Sequence, residues 1–248
     1  MSLSPQSLCT QSHNSSSRHG ARKRRAVLTL LSLAGVIGAA ACGGTDAVDT
    51  TTPVPTTIVA VAATDSQRAA VTTTLPSPIA VRVRDQNGNA LPAAAVAWTV
   101  LSGGGAVSLG VSATDANGEA ATVWTLGRTA STQTVTATLI SGVSDTIVAI
   151  GTAGPAAAFA LVDGDNQTLA VGQTSAPLRV RVLDQYGNVV PSLAVSWTTT
   201  GGTLSAAQST TNATGIASIT LQVASGPQVV TARIANGATL TFNLRGQP

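Results

Sequence analysis

In the stretch VRVRDQNGNALP, Asp85, Asn87 and Asn89 place side-chain oxygens at alternate positions, and Asp115, Asn117 and Glu119 repeat the pattern in TDANGEA. Hard oxygen donors at this spacing could hold a calcium ion. Calcium takes about six to eight oxygens, however, and the EF-hand loop carries its glycine at the sixth position rather than the fourth. The same stretch returns 99 residues later as VRVLDQYGNVVP, with Asp184 in the place of Asp85. There Tyr186 replaces Asn87, Asn212 replaces Asp115 and Ile216 replaces Glu119. A ligand set lost from one of two matching copies is poor ground for a metal, so no metal or cofactor is expected. Turn chemistry explains the letters better. An Asp side chain accepts hydrogen bonds from N–H groups just ahead of it, while Gly88 with Asn89, like Gly187 with Asn188, suits positive φ in a tight turn.

Other chemistries fall to absences. From Cys42 onward there is no His, Lys or Met and only one Cys. A Ser-His-Asp or Cys-His site, a Ser-Lys dyad and a His/Cys zinc site therefore cannot be assembled. Two-carboxylate glycosidase chemistry has one Glu, Glu119, and aspartates that fall mainly in turns. No Gly-rich loop precedes a helical pattern, which removes phosphate cradling. The chain reads as non-enzymatic. Its basic pI of about 9.5 belongs to the first 41 residues, because from Cys42 onward eight arginines face ten acids, a net charge of −2. Those arginines are scattered, so no nucleic-acid footprint is expected.

The elements that must position these residues are strands. Ile79, Val81 and Val83 alternate with Ala80, Arg82 and Arg84, and Leu178, Val180 and Val182 alternate with Arg179 and Arg181. Period two means one buried and one wet face. Pro78, Pro92 and Trp98 recur 99 residues later as Pro177, Pro191 and Trp197; TDANGEAATVWTL answers TNATGIASITLQV, and VTATL answers VTARI. Turn signals fall every ten or so residues, and a break at GTAGPAAA, residues 151–158, separates the copies. Several short strands at this spacing suggest an all-β sandwich, repeated once. Trp98 and Trp197, in phase with Val96 and Val195, belong to the cores rather than to sugar-stacking platforms. Ala120, Thr122, Trp124 and Leu126 face inward, as do Ala217, Ile219, Leu221 and Val223. Pro92 and Pro191 sit where a strand begins or bulges, since Pro cannot donate to a central ladder. Tyr186, at a loop tip, is the more plausible contact residue.

Ahead of the sandwiches, Arg22-Lys23-Arg24-Arg25 precedes an uncharged run from Ala26 to Ala41 and then Cys42-Gly43-Gly44. A basic region, a short apolar run and small residues before a cut define a secretory signal. Its apolar run reaches roughly 24 Å, short of the ~30 Å hydrocarbon core. The segment resembles a bacterial lipoprotein signal, although Ala39 stands where such signals usually carry Leu. The resemblance implies that Cys42 is the lipidation site and becomes the acylated amino terminus. Gly43, not Asp, follows the cysteine, so by the same resemblance the outer membrane or cell surface is favoured over inner-membrane retention, with the periplasmic face as the alternative. Acyl chains at ~0.8 kcal/mol per buried methylene would hold the protein on a membrane. The expected order is signal peptide 1–41, Thr/Pro-rich tether 42–57, first sandwich 58–152 and second sandwich 155–247.

The combined pattern V-x-D-x-x-G-N-x-x-P, an aromatic strand, a Gly-rich turn, T-D-x-x-G-x-A and a final V-T-A strand resembles the group 1 bacterial immunoglobulin-like (Big) domain of the intimin/invasin type. The resemblance covers about Ile58 to Leu244 in two copies. It implies the fold class all-β, two tandem immunoglobulin-like β-sandwiches after a signal peptide and flexible linker, with seven or so strands in two sheets per copy, and a role in stalks of surface proteins and lipoproteins. The expected function is a lipid-anchored, non-catalytic envelope protein, a structural spacer or adhesion-related surface module. The alternative is a recognition module binding a glycan, peptidoglycan or partner protein through its loops. The expected contacts are the membrane, through the N-terminal anchor, and an unidentified cell-surface partner.

Overall fold

Alternating Val, Ile and Ala with Thr, Arg and Ser form strands almost throughout. The computed structural model describes residues 52–248; the leader, Cys42 and the tether up to Thr51 lie outside the described residues. The first sandwich comprises β1 (Pro55–Ala60), β2 (Gln67–Ala70), β3 (Ile79–Asp85), β4 (Ala95–Val100), β5 (Ala106–Val107), β6 (Val111–Ala113), β7 (Glu119–Thr122), β8 (Trp124–Thr125), β9 (Thr132–Leu139) and β10 (Ser144–Thr152). The second repeats them as β11 (Ala156–Asp163), β12 (Gln167–Ala170), β13 (Leu178–Asp184), β14 (Ala194–Thr199), β15 (Thr203–Leu204), β16 (Gln208–Thr210), β17 (Ile216–Ile219), β18 (Leu221–Gln222), β19 (Gly226–Arg233) and β20 (Thr239–Gln247). A single 3-10 turn, Ala62–Thr64, interrupts this pattern in the first copy.

Each copy stacks a three-stranded sheet, β1-β3-β7 or β11-β13-β17, on a five-stranded one, β2-β10-β9-β4-β6 or β12-β20-β19-β14-β16. Each copy has ten strands against the expected seven or so; one is added where Val123 breaks the run from Glu119 to Thr125, so that β7 pairs with β3 and β8 with β5. The last long strand of each copy runs parallel to a short edge strand, β10 to β2 and β20 to β12, and antiparallel to its other neighbour.

The expected inward residues are the ones buried. Ala120, Thr122, Trp124 and Leu126 are enclosed, as are Ala217, Ile219, Leu221 and Val223. Trp98 and Trp197 are 4% and 3% exposed and lie in the two core clusters. Each turns its indole N–H to a serine of the neighbouring edge strand, Trp98 to Ser112 Oγ and Trp197 to Ser209 Oγ, both at 2.9 Å. A buried indole needs such a partner. Trp124 lacks one, its Nε1 being buried with no acceptor.

Two expectations need correction. Strand β1 starts at Pro55, three residues before Ile58, because Pro55 already stands opposite Asp85 and Thr57 opposite Arg84. Pro92 and Pro191 neither open a strand nor lie in a bulge. They occupy turns ahead of β4 and β14, followed by Ala93 and Ser192 at φ 58° and 59°. Thr114 and Thr211 brace these turns, each hydroxyl accepting from one backbone N–H (Ala94, Leu193) and donating to one carbonyl (Leu91, Val190).

Candidate functional site

The copied corner is built around its aspartate. Asp85 Oδ1 accepts the N–H groups of Asn87 (2.9 Å) and Asn89 (2.8 Å); Asp184 Oδ1 accepts those of Tyr186 (2.8 Å) and Asn188 (2.9 Å). Both carboxylates are nearly enclosed. Burial pushes each carboxyl up, but the hydrogen bonds outweigh it and hold both below the ordinary aspartate value. In the neighbouring corner, Asp115 Oδ1 accepts from Asn117 and Glu119, and the Glu119 N–H leads the causes that lower its carboxyl. Asn212 does the same work with a neutral oxygen, accepting from Thr214 and Ile216. An amide can replace the carboxylate because the task is to receive N–H groups.

Gly88 and Gly187 take positive φ, 81° and 84°, whereas Asn89 and Asn188 do not. The asparagines hold the corner through their side chains instead, and here the copies diverge. Asn89 is exposed and its amide reaches only Asp85 Oδ2, at 3.4 Å. Asn188 donates to Asp184 Oδ2 and to the Arg128 carbonyl, each at 2.8 Å, and its Oδ1 accepts the Ala130 N–H at 2.8 Å. Arg128 and Ala130 belong to the first sandwich, so the second copy's corner is fastened to the end of the first. Asp184 Oδ2 also accepts the Gly154 N–H at 2.9 Å, which ties in the connection Ala153-Gly154-Pro155 between β10 and β11.

Tyr186, the expected contact residue, is about one-third exposed and faces the chain itself. The Arg128 guanidinium stands 5.6 Å from its ring centroid, within cation–π range, and its hydroxyl lies 3.4 Å from Thr72 Oγ1. Thr72 has φ 62°, an uncommon conformation for a β-branched residue, while Gly172 takes φ 85° at the matching turn of the second copy. A threonine is carried at the strained position on the sandwich end that meets the tyrosine.

Sequence reading missed the residues that present Arg128. Gln133 is fully buried; its Oε1 accepts the Gly127 N–H at 2.8 Å and its Nε2 donates to the Thr129 carbonyl at 2.9 Å. The loop that carries Arg128 is thus pinned from inside. Its counterpart in the second copy, VASGPQ against LGRTASTQ, is two residues shorter. One signal was available: a loop lengthened in one copy and an asparagine shared by both, with Tyr only in the second.

The comparisons with known proteins agree with this architecture. Residues 158–245 match the family model of the bacterial Ig-like domain (group 1). Among solved structures, FdeC, an adhesin of Escherichia coli, is 20% identical with a TM-score of 0.50, over 78% of this chain and 66% of that one. The D0-D1 domain of intimin is 20% identical at a TM-score of 0.31, over 77% of this chain and 98% of that one. The Yersinia pseudotuberculosis adhesin InvE is 17% identical at 0.36, over 77% and 59%. The likeness to FdeC is one of fold, and this chain covers 66% of the solved FdeC chain.

Proposed function

We propose that this chain, which carries bacterial immunoglobulin-like sandwiches of the group 1 type in tandem, is a lipid-anchored, non-catalytic spacer of the bacterial cell envelope that serves adhesion or surface display. The observation that carries the reading is the fastened junction. Asn188, Asp184 and Tyr186 engage Arg128, Ala130, Gly154 and Thr72, and a spacer gains stiffness from contacts that stop its units from swinging independently. Interfaces between domains of one chain otherwise permit relative motion by default. The missing His, Lys and Met after Cys42 and the engagement of Asp85, Asp115 and Asp184 by backbone N–H groups fit a non-catalytic part.

Cys42 supplies the anchor in this reading, and the tether after it sets the distance of the first sandwich from the membrane. FdeC and InvE are adhesins by name, which supports placement on the outer surface. The alternative of loop-borne recognition loses its best residue, because Tyr186 is engaged at the junction. Protease shaving of intact cells, with a periplasmic protein as control, tests the placement. Loss of both sandwiches with the control intact is the expected result. Full protection would put them in the periplasm and end the surface-display reading.

A further inference from the structure

Beside the fastened corner lies a cleft of about 440 Å³, lined by Arg68, Ile150 and Thr152 of the first sandwich and by Val189, Val190 and Pro191 of the second. Its walls are held in place by the bonds from Asn188 to Arg128 and Ala130 and by the Asp184–Gly154 bond. Clefts between units are preferred places for small ligands, typically at about 300–1,000 Å³. A site whose two walls are already fixed loses less freedom when a ligand enters.

Arg68 is the one charge in this lining. Four arginines of the fold are engaged: Arg82 pairs with Glu119, Arg179 with Asp163, Arg84 donates to the Gly88 carbonyl and Arg128 stands over Tyr186. Among the described residues Arg68, like Arg181, Arg233 and Arg245, has no such partner, and of these four only Arg68 lines the cleft. It stands on β2 opposite Ile150 of β10, so guanidinium and aliphatic wall enter the cleft side by side. The fold itself does not ask for it, since the second copy has Thr168 opposite Arg245 at the matching register.

We propose that this cleft is a binding site for the free carboxylate of a peptide that ends in a small aliphatic residue. A guanidinium matches a carboxylate through two parallel N–H donors, and one guanidinium balances one negative charge. Ile150, Val189, Val190 and Pro191 offer an aliphatic wall to the terminal side chain; Val189 is 37% exposed and thus available. No aromatic face lines the cleft for a sugar ring, which sets a glycan second.

The test is fluorescence anisotropy of an N-terminally dye-labelled Gly-Ala-Ala peptide with the full-length protein in detergent. Saturable binding is expected, weakened about tenfold or more by amidation of the peptide's carboxylate and equally by Arg68→Gln, as loss of a charge-assisted bond predicts. Arg245→Gln, which removes an exposed arginine elsewhere, leaves binding unchanged. The assignment is overturned by absence of saturation at millimolar peptide, by indifference to amidation or to Arg68→Gln, or by equal loss with Arg245→Gln. It is also overturned if a uronic-acid trisaccharide binds more tightly than the peptide with the same Arg68 dependence. A negative result leaves the spacer reading standing, because that rests on the junction bonds and not on Arg68.

Discussion

Asn188→Ala and Asn89→Ala remove the same side chain from the same corner in two copies, so their difference isolates the junction. In the first copy the substitution loses one long bond, Asn89 Nδ2 to Asp85 Oδ2 at 3.4 Å. In the second it loses the bond to Asp184 and two to the first sandwich, all at 2.8 Å. A typical hydrogen bond contributes about 1 kcal/mol net, so the two inter-sandwich bonds put Asn188→Ala roughly 2 kcal/mol below Asn89→Ala. At about 2–4 °C per kcal/mol for a unit of this size, the melting temperatures should differ by about 4–8 °C. Scanning calorimetry of both variants and the parent measures this directly. The parent's two sandwiches should also melt closer together than those of Asn188→Ala, since the lost bonds couple them. Equal melting temperatures for the two variants would refute the claim that the second corner fastens the sandwiches, whatever the absolute values.

Three more expectations follow from the same geometry and from the leader. Asp85, Asp115 and Asp184 have carboxyls lowered in the fold, so the stability they confer is complete above the unfolded value of about 3.9 and fades as pH falls through the lowered folded values. Asp115→Asn, which reproduces the Asn212 corner without the charge, should give up the neutral-pH stability that the lowered carboxyl confers and flatten part of the acid limb in denaturant titrations at a series of pH values; an unchanged acid limb would contradict the assignment. Ser112→Ala strands the buried Trp98 indole N–H and should cost about 1–3 kcal/mol in urea unfolding, with Ser209→Ala doing the same to Trp197; a neutral result would mean that the serines do not serve the indoles. Cys42→Ala should leave unprocessed precursor without lipid label, and labelling that persists with cleavage at the same place would end the lipoprotein reading.

Much of the fold was legible because its signals are local and written twice. Period-two alternation in β3 and β13 named the buried faces, and the recurrence of Trp98 as Trp197 separated core from surface. The corner aspartates were legible as acceptors, since Asx turns close within four residues. What could not be read is what depends on two loops meeting across a fold. Tyr186 and Thr72 are 114 residues apart in sequence, and nothing near either names the other. Gln133 looked like a polar residue in a threonine-rich strand, yet it is buried because it holds a loop rather than a face. The start of β1 at Pro55 was hidden by composition: prolines and threonines read as tether, but an edge strand tolerates Pro where no ladder bond is required.

The parallel pairs β2 with β10 and β12 with β20 bear on how the protein takes load. When a chain is held at one end and pulled at the other, a ladder that zips open loses its bonds one at a time. Parallel neighbours drawn past each other along their own direction must instead surrender several at once. In each copy the pair joins an edge strand near the start of the sandwich to the strand that leaves it, from Gln67↔Ala149 to Ala70↔Thr152 in the first and from Gln167↔Leu244 to Ala170↔Gln247 in the second. Tension passing along the chain therefore meets a shear clamp in each sandwich, and the connection that leaves the first clamp runs through Gly154, which Asp184 already grips.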